Sequence, residues 1–295
     1  MIEGRIIKAI SGYYYVQLHG VDEERIVRCR ARGVFKVRNI TPLAGDLVRI
    51  ETIDQKEGTI MEVLPRHSEL VRPPIANVDQ AVLVFALKMP DLSYSLLDRL
   101  LVHAEYAGIQ SVICMTKADL AEDASDIDTI RDVYGGMGYP VLLTSAATGQ
   151  GIDDLSEALT GKVSVLAGQS GAGKSTLINQ LIPGLQLKTG EVSTKLGRGR
   201  HTTRHVELIP YQSGAVADTP GFSQLDFPDM EPEQLSSCFR DISKYSSSCK
   251  FRGCLHMSEP DCAVNEAVSA GDISAVRYEN YKAFLQEIRE KNRRY

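Results

Sequence analysis

The chain reads as an α/β protein in three parts: a small closed β-barrel, a central domain with a mostly parallel sheet and a phosphate-binding loop, and a mainly helical segment built around a metal site. Three observations predict this. Short β-like runs separated by turn residues fill the first part of the chain; longer apolar runs then alternate with amphipathic helical patterns; and three cysteines crowd with a histidine toward the C-terminus. The expected boundaries are 1–66, 67–228 and 229–295.

In the first part, Ile6-Ile7, Tyr13 to Leu18, Arg25 to Arg28, Asp46 to Ile50 and Gly58 to Val63 are divided by Ser11-Gly12, His19-Gly20, Pro42 and Ala44-Gly45. Strands this short and closely spaced fit an OB-fold barrel. Between Arg25 and Arg38 lie Arg25, Arg28, Arg30, Arg32, Lys36 and Arg38 without an acid. With Tyr13, Tyr14, Tyr15 and Phe35 they offer cations for phosphates and rings for bases, as RNA-binding barrels do; a solvated face over core aromatics has the same composition.

At 295 residues, 43% hydrophobic, the chain can form about two domains with real cores. A net charge of −5 excludes a protein coated in basic residues, so any RNA contact must come from local charge. No apolar run approaches a membrane span, and Met1 to Arg5 begins no secretory segment, so a cytoplasmic location without a membrane partner is expected. Six cysteines in such a chain do not suggest a disulfide framework.

His67 to Val78, with Pro73-Pro74, reads as a linker. Gln80 to Phe85, Ser111 to Met115 and Pro140 to Thr144 then read as buried strands. Ser93 can cap a helix carrying Leu96, Leu97, Leu100, Leu101, Ala104 and Ala107, and Ile127, Ile130, Val133 and Met137 form a second stripe. Val163 to Ala167, another buried strand, enters Gly168-Gln169-Ser170-Gly171-Ala172-Gly173-Lys174-Ser175, with Thr176 next. This is G-x-x-x-x-G-K-[ST] between a strand and a helix that stops at Pro183-Gly184, the context the motif requires. Its glycines let backbone N–H groups turn inward as a nest for phosphate oxygens, and the helix N-terminus adds partial positive charge. By the motif's mechanics Lys174 reaches the β- and γ-phosphates and the Ser175 hydroxyl coordinates Mg²⁺.

Four further stretches stand where strands end or between them. Thr116-Lys117-Ala118-Asp119 comes after one strand, Thr144-Ser145-Ala146 after another, and Gly199 to Arg204 and Asp218-Thr219-Pro220-Gly221 lie beyond the phosphate loop. Together they resemble the remaining elements of GTPases. That resemblance implies that Asp119 accepts from guanine N1–H and the N2 amine, that the Ser145-Ala146 backbone supports guanine O6, that Asp218 holds Mg²⁺ through water, and that the Gly221 N–H meets the γ-phosphate. Thr203 is the expected metal-binding threonine of the first switch, with Thr202 the alternative. Taken alone, T-K-A-D fits a strand-end turn with a helix-capping Asp equally well. The order is base, base, phosphate loop, first switch, second switch, which is that of a circularly permuted GTPase. It attaches the chain beyond Gly221 directly to the second switch.

That C-terminal stretch carries Cys249-x₄-Cys254-x-His256-x₅-Cys262, after a helix starting near Glu231. Three thiolates and an imidazole at this spacing match a closed tetrahedral zinc site, one structural Zn²⁺, whose binding would supply folding energy to a segment with little core. Cys238 reads as core. Ser274 to Tyr295 reads as an exposed helix with Tyr278, Tyr281, Phe284, Leu285 and Ile288 on one side, ending in Lys291-Asn292-Arg293-Arg294 as a phosphate contact or a solvated tail.

With barrel, permuted centre and cysteine knuckle in place, the whole chain is similar to the bacterial ribosome small-subunit-dependent GTPase A family. The resemblance implies a circularly permuted P-loop GTPase domain with an N-terminal OB-fold β-barrel and a C-terminal mainly helical zinc-binding domain. It implies hydrolysis of GTP to GDP and phosphate with Mg²⁺, stimulated by the small (30S) ribosomal subunit, in late maturation of that subunit. It further implies contacts to 16S rRNA through barrel and zinc domain, and release of maturation factors; a monomer is expected. One departure is Thr116, where the general motif has Asn, which alters the loop-tying hydrogen bonds. Many GTPases position the attacking water with a Gln after D-x-x-G, but here that position is Phe222. The expected water-positioning group is therefore His201, with His205 as rival and an RNA-facing basic residue as the other reading. Two other function classes stay open: an RNA-binding assembly scaffold in which nucleotide is mainly structural, and an ATP-using metabolic enzyme, against which Asp119 and Ser145-Ala146 speak.

Overall fold

The computed structural model describes residues 1–20, 25–71, 73–121, 124–185, 187, 206–218 and 226–293. Its first five strands are β1 (Ile2–Ile10), β2 (Tyr13–Leu18), β3 (Ile26–Ala31), β4 (Leu47–Thr52) and β5 (Glu57–Val63), with the short helix α1 (Val34–Val37) after β3. They close into a barrel in the order β1-β2-β3-β5-β4, every pairing antiparallel except the parallel β3–β5. Alternation along each strand turns Ile6, Val16, Leu18, Val27, Cys29, Val48, Ile50 and Ile60 inward. Each such side chain, removed from water, contributes on the order of 2 kcal/mol. Phe35 of α1 is buried in the same core, so it is not one of the rings the barrel offers for stacking.

The stretch expected as a linker is a small ribbon instead. Strands β6 (Glu69–Leu70) and β7 (Ile75–Ala76) pair antiparallel, and the Asn77 side-chain amide donates to the Gly45 carbonyl at 3.1 Å. Buried Leu70, Ile75 and Ala76 explain why so short an element is fixed.

Next come β8 (Gln80–Ala86), α2 (Tyr94–Tyr106), β9 (Gln110–Thr116), α3 (Ala124–Ile130), β10 (Val141–Leu143), α4 (Ile152–Leu159), β11 (Val163–Gly168), α5 (Lys174–Leu181), β12 (Leu208–Tyr211) and β13 (Gly214–Asp218). Six of these strands form one sheet, ordered β10-β9-β8-β11-β13-β12, parallel at β10–β9 and β11–β13 and antiparallel at the β12 edge. Strand β8 is buried along its whole length and β9 is buried after Gln110, as strands covered on both faces require. Ser93 caps α2 as expected, accepting from the Leu96 N–H. The second helical stripe departs from expectation. Helix α3 runs into a π-turn at Arg131–Gly135, and the extra residue rotates Tyr134, rather than Val133, into the core beside Ile130.

The chain ends in α6 (Pro232–Leu235), α7 (Arg240–Ser246), α8 (Ala263–Ala270) and α9 (Ala275–Asn292). Helix α6 is opened by a capping box between Glu231 and Gln234. Tyr278, Tyr281, Phe284, Leu285 and Ile288 of α9 are buried with Phe239, Ile242, Val264 and Val102, so α9 is a core helix and not an exposed one. Cys238 is buried in that core.

The described residues group into two compact units: one within Met1–Ala81, Asp153–Ala167 and Lys174–Phe222, the other within Val82–Ile152, Gly168–Gly173 and Ser223–Tyr295. In the second, Arg277 of α9 is only 2% exposed. Its guanidinium grips Asp241 of α7 with two hydrogen bonds of 2.8 and 3.0 Å and pairs with fully buried Asp98 of α2. The Tyr134 hydroxyl and the Asn280 amide complete the shell of Asp98 at 3.1 and 2.6 Å. Burial pushes the Asp98 carboxyl up to about 6 against the pull of Arg277. Arg277 itself is held above the ordinary arginine range: burial works against its charge, but the two carboxylates outweigh it.

Removing the cation would leave two acids facing each other in the core, so Arg277→Met is expected to cost about 3–5 kcal/mol at neutral pH. Without Arg277 the Asp98 carboxyl rises further, and the folded state then favours its protonated form. The deficit should therefore be smallest in the acid range below the ordinary carboxylate pKa and grow as pH rises through 6 and above. Denaturant unfolding of both proteins at several pH values checks the magnitude and the sign.

Candidate nucleotide site and metal centre

In the second unit, strand ends bring the turns carrying Thr116 to Asp119 and Thr144 to Ala146 together. The register Leu143 to Met115 aligns β10 with β9, and Thr144 N–H donates to the Met115 carbonyl at 2.7 Å. Thr116, the last residue of β9, is 3% exposed, and its hydroxyl donates to the Ala172 carbonyl at 2.6 Å, with the Phe85 carbonyl at 3.3 Å. The side chain is thus turned into the protein rather than toward a ligand. Lys117 adopts the left-handed conformation (φ 56°), uncommon for a side-chain-bearing residue, and its ammonium donates to the Met89 carbonyl. Ala118 N–H is held by the Thr144 carbonyl at 3.1 Å. Asp119 opens outward, one carboxylate oxygen held by the Ser145 hydroxyl. Ser145 is fully buried and Ala146 half-buried next to it.

The phosphate loop lies in the same unit from Gly168 to Gly173. Gly168 sits at φ +136°, and a Cβ there would collide with the Val84 carbonyl, so the loop can leave β11 at this angle only with glycine. Gly171 and Gly173 come next at φ +77° and +94°, the left-handed turns a backbone nest needs. Ala172 is fully buried, Ser170 is exposed, and the Gln169 amide donates to the Asp91 carbonyl at 3.0 Å. Lys174 and Ser175 open α5 directly after the loop, both half-buried, with Thr176 exposed. In the first unit, the parallel register sets Asp218 opposite Leu166, so β13 ends level with the strand that feeds the loop. The Asp218 side chain, Gly221, His201, Thr202, Thr203, His205 and Phe222 lie outside the described residues.

The metal centre is within the second unit. Sγ of Cys249 and of Cys254 each stand 3.8 Å from Sγ of Cys262, and Nδ1 of His256 stands 3.5 Å from Cys249 and Cys262 Sγ. One ligand atom from each of the four residues lies within 4.8 Å of the others, so the cluster can hold a metal ion. Two features build it. Tyr278 and Tyr281 of α9 donate to the His256 and Leu255 carbonyls at 2.6 and 3.1 Å. The Glu259 carboxylate accepts from the N–H groups of Leu255, Met257 and Ser258 at 2.7–3.0 Å. Burial would raise the Glu259 carboxyl, but these donors outweigh it and hold it below the usual range. Burial also keeps His256 neutral, the form that ligates, while burial and neighbouring sulfurs push the Cys254 thiol up to about 12. A bound cation reverses that last shift, since it takes the thiolate.

Sequence reasoning missed Glu259, Arg277, Asp98 and Asp241. None lies in a spacing pattern, and the Arg277–Asp98 pair spans 179 residues.

Residues 63–228 match the family model described as RsgA GTPase, and residues 3–60 match the RsgA N-terminal domain. This chain belongs to the RsgA GTPase family. A Bacillus cereus protein named small ribosomal subunit biogenesis GTPase RsgA is 54% identical over 297 residues, covering all of both chains. A Bacillus subtilis protein of the same name is 51% identical over 298 residues, again covering both chains fully. A solved structure described as YloQ, a circularly permuted GTPase, is 47% identical with a TM-score of 0.82, covering 99% of this chain and 96% of that one. YjeQ from Thermotoga maritima is 36% identical with a TM-score of 0.85, covering 97% and 98%. As an RsgA-family member the chain is a GTP-hydrolysing enzyme with a circularly permuted GTPase domain and an N-terminal barrel. Among the described residues no helix is long and apolar enough to cross a membrane.

Glu259→Ala removes the acceptor that shapes the knuckle without touching a metal ligand. Loaded with a metal ion, the variant should release it to a chelator at a concentration about tenfold lower than the parent requires, monitored with a colorimetric metal indicator.

Proposed function

We propose that this RsgA-family GTPase acts in late maturation of the small (30S) ribosomal subunit, docking through 16S rRNA and using GTP hydrolysis as the switch between docking and release. The observation that supports the nucleotide site most directly is the junction of base turn and phosphate loop: one buried hydroxyl, Thr116, joins the strand end carrying Asp119 to the centre of the loop. In this reading Asp119 with Ser145 and Ala146 selects guanine. The Gly168 to Gly173 backbone and Lys174 hold the phosphates, and Gly221 N–H meets the γ-phosphate. Ser175, Thr203 and Asp218 would hold Mg²⁺, which neutralises phosphate charge. His201 positions the water, because Phe222 carries no polar atom to do so.

For the metal centre we read zinc. With sulfur bonds of about 2.3 Å and a nitrogen bond of about 2.0–2.1 Å, a tetrahedral ion sets S···S edges near 3.8 Å and S···N edges near 3.5 Å. Four of the six edges of this cluster are 3.8 and 3.5 Å, and all four ligand atoms lie within 4.8 Å of one another. Cys249, Cys254, His256 and Cys262 would then close the ion off from solvent, and its role is to stabilise the fold rather than to react. A cytoplasmic monomer fits this role.

The deciding measurement is GTP turnover by the full chain at fixed salt, with and without purified small ribosomal subunits. Stimulation on the order of a hundredfold or more is expected; an unchanged rate despite binding would leave an RNA-binding scaffold. His201→Ala should remove the stimulated rate while subunit binding and GDP affinity persist. Retained stimulation at equal binding would exclude His201 as the water-positioning residue.

A further inference from the structure

In the first unit, barrel and sheet share one lateral row of backbone. Strand β13 lies between β11 and the edge strand β12, with Asp218 level with Leu166 and Ala217 level with Leu208. One step further along the same β12–β13 register, Glu207 is level with Asp218. Beyond Glu207 the row enters the barrel: Lys8 of β1 forms an antiparallel bridge with Glu207, and its ammonium donates to the Glu207 carboxylate at 2.7 Å. Two features build this contact. The β1–β2 register shifts between Ile6 and Lys8, so Ile6 and Ile7 are both buried and the strand is re-aimed where Lys8 leaves it. Val206, 8% exposed, lines a barrel cleft with Ala9, Ile10, Tyr14 and Leu43, which seats the residue before Glu207. An edge strand otherwise turns its outer backbone to solvent; here the barrel takes hold of it where β12 begins.

We propose that Lys8 is a positioning residue for the Mg²⁺–GTP site: by holding Glu207, it fixes the β12–β13 hairpin at the rung that ends in Asp218. The inference rests on reading Asp218 as a holder of Mg²⁺. The barrel thereby bears on the metal site through a row of backbone, without a side chain of its own reaching the nucleotide.

The test is the Mg²⁺ concentration that half-maximally slows release of a fluorescent, non-hydrolysable GTP analogue from the full chain. Lys8→Ala and Glu207→Ala should each raise it about threefold to fivefold. Both should leave analogue affinity in EDTA within about twofold and speed hydrogen exchange at the start of β12. Exchanging the charges, Lys8→Glu with Glu207→Lys, should restore the parent's values. The two side chains are 28% and 55% exposed, so these variants leave the core intact. Charge acting through space predicts opposite signs, since losing a cation favours Mg²⁺ and losing an acid disfavours it; positioning moves both variants the same way. Opposite signs, no change in either variant, a loss in EDTA as large as that in Mg²⁺, or an exchanged pair as weak as the single variants would each overturn the inference. A parent chain whose analogue binding ignores Mg²⁺ would instead sink the reading of Asp218, and this inference with it.

Discussion

The buried guanidinium of Arg277 is the constraint on which the second unit depends. Two carboxylates and a cation taken out of water are costly, and such a cluster persists only if every lone pair and proton is matched. Here each nitrogen and carboxylate oxygen has a partner: Asp241 is gripped in a fork, Asp98 is shared among Arg277, Tyr134 and Asn280, and the guanidinium lies about 5 Å from the rings of Tyr134 and Phe239. A slip of α9 by one turn would strand all three charges. Packing of Phe284 and Leu285 alone would tolerate that slip far better, so the charged cluster specifies register where the apolar face supplies burial. The knuckle inherits the same register, because Tyr278 and Tyr281 stand one and four residues beyond Arg277 and hold the His256 and Leu255 carbonyls.

A second set of contacts fixes the stretch from Phe227 to Asp229 within the same unit. Phe227 is buried against Phe284, with ring centroids 5.0 Å apart, and beneath the Arg99 guanidinium at 4.3 Å. Lys291 donates to the Phe227 carbonyl and to Asp229, each at 2.7 Å, and the Tyr106 hydroxyl donates to the Asp229 carbonyl at 3.0 Å. Tyr106 and Arg99 belong to α2 and Lys291 to α9, so the connection is moored to the helices that Arg277 joins. These contacts also answer what the basic end of α9 does at Lys291: this lysine is a mooring, held by acid and carbonyl.

What the sequence made legible was chemistry that demands contiguous spacing. A phosphate nest needs glycines at set offsets, a knuckle needs its ligands within a few residues, and both were readable as strings. The barrel was readable because alternation and turn residues repeat. Non-local choices were not. Nothing in the neighbourhood of Asp98 announces a cation on a helix far along the chain, and the π-turn that swaps Tyr134 for Val133 changes the buried face without altering composition. The apparent linker hid its buried Leu70, Ile75 and Ala76 behind paired prolines. Thr116 looked like a weakened motif residue because a sequence gives the side chain but not its partner carbonyl.

The barrel's basic face shows how such partners change a reading. Its sequence offers cations for phosphates and rings for bases, but the rings are largely taken. Phe35 is core, and Tyr13 is covered by the guanidinium groups of Arg28 and Arg30 at 5.0 and 4.7 Å. The cations are less committed. Arg28 pairs with Glu57 where both are nearly half-exposed, so solvent screens the pair and a phosphate could replace it at little loss. Arg32 and Arg38 are exposed on the same connection. RNA meeting this face would therefore engage mainly through its backbone, with position set by charge and shape rather than by base identity. Specific placement on a particle would then have to come from the combination of surfaces, and the barrel's share of affinity would be the part most readily lost as salt is raised.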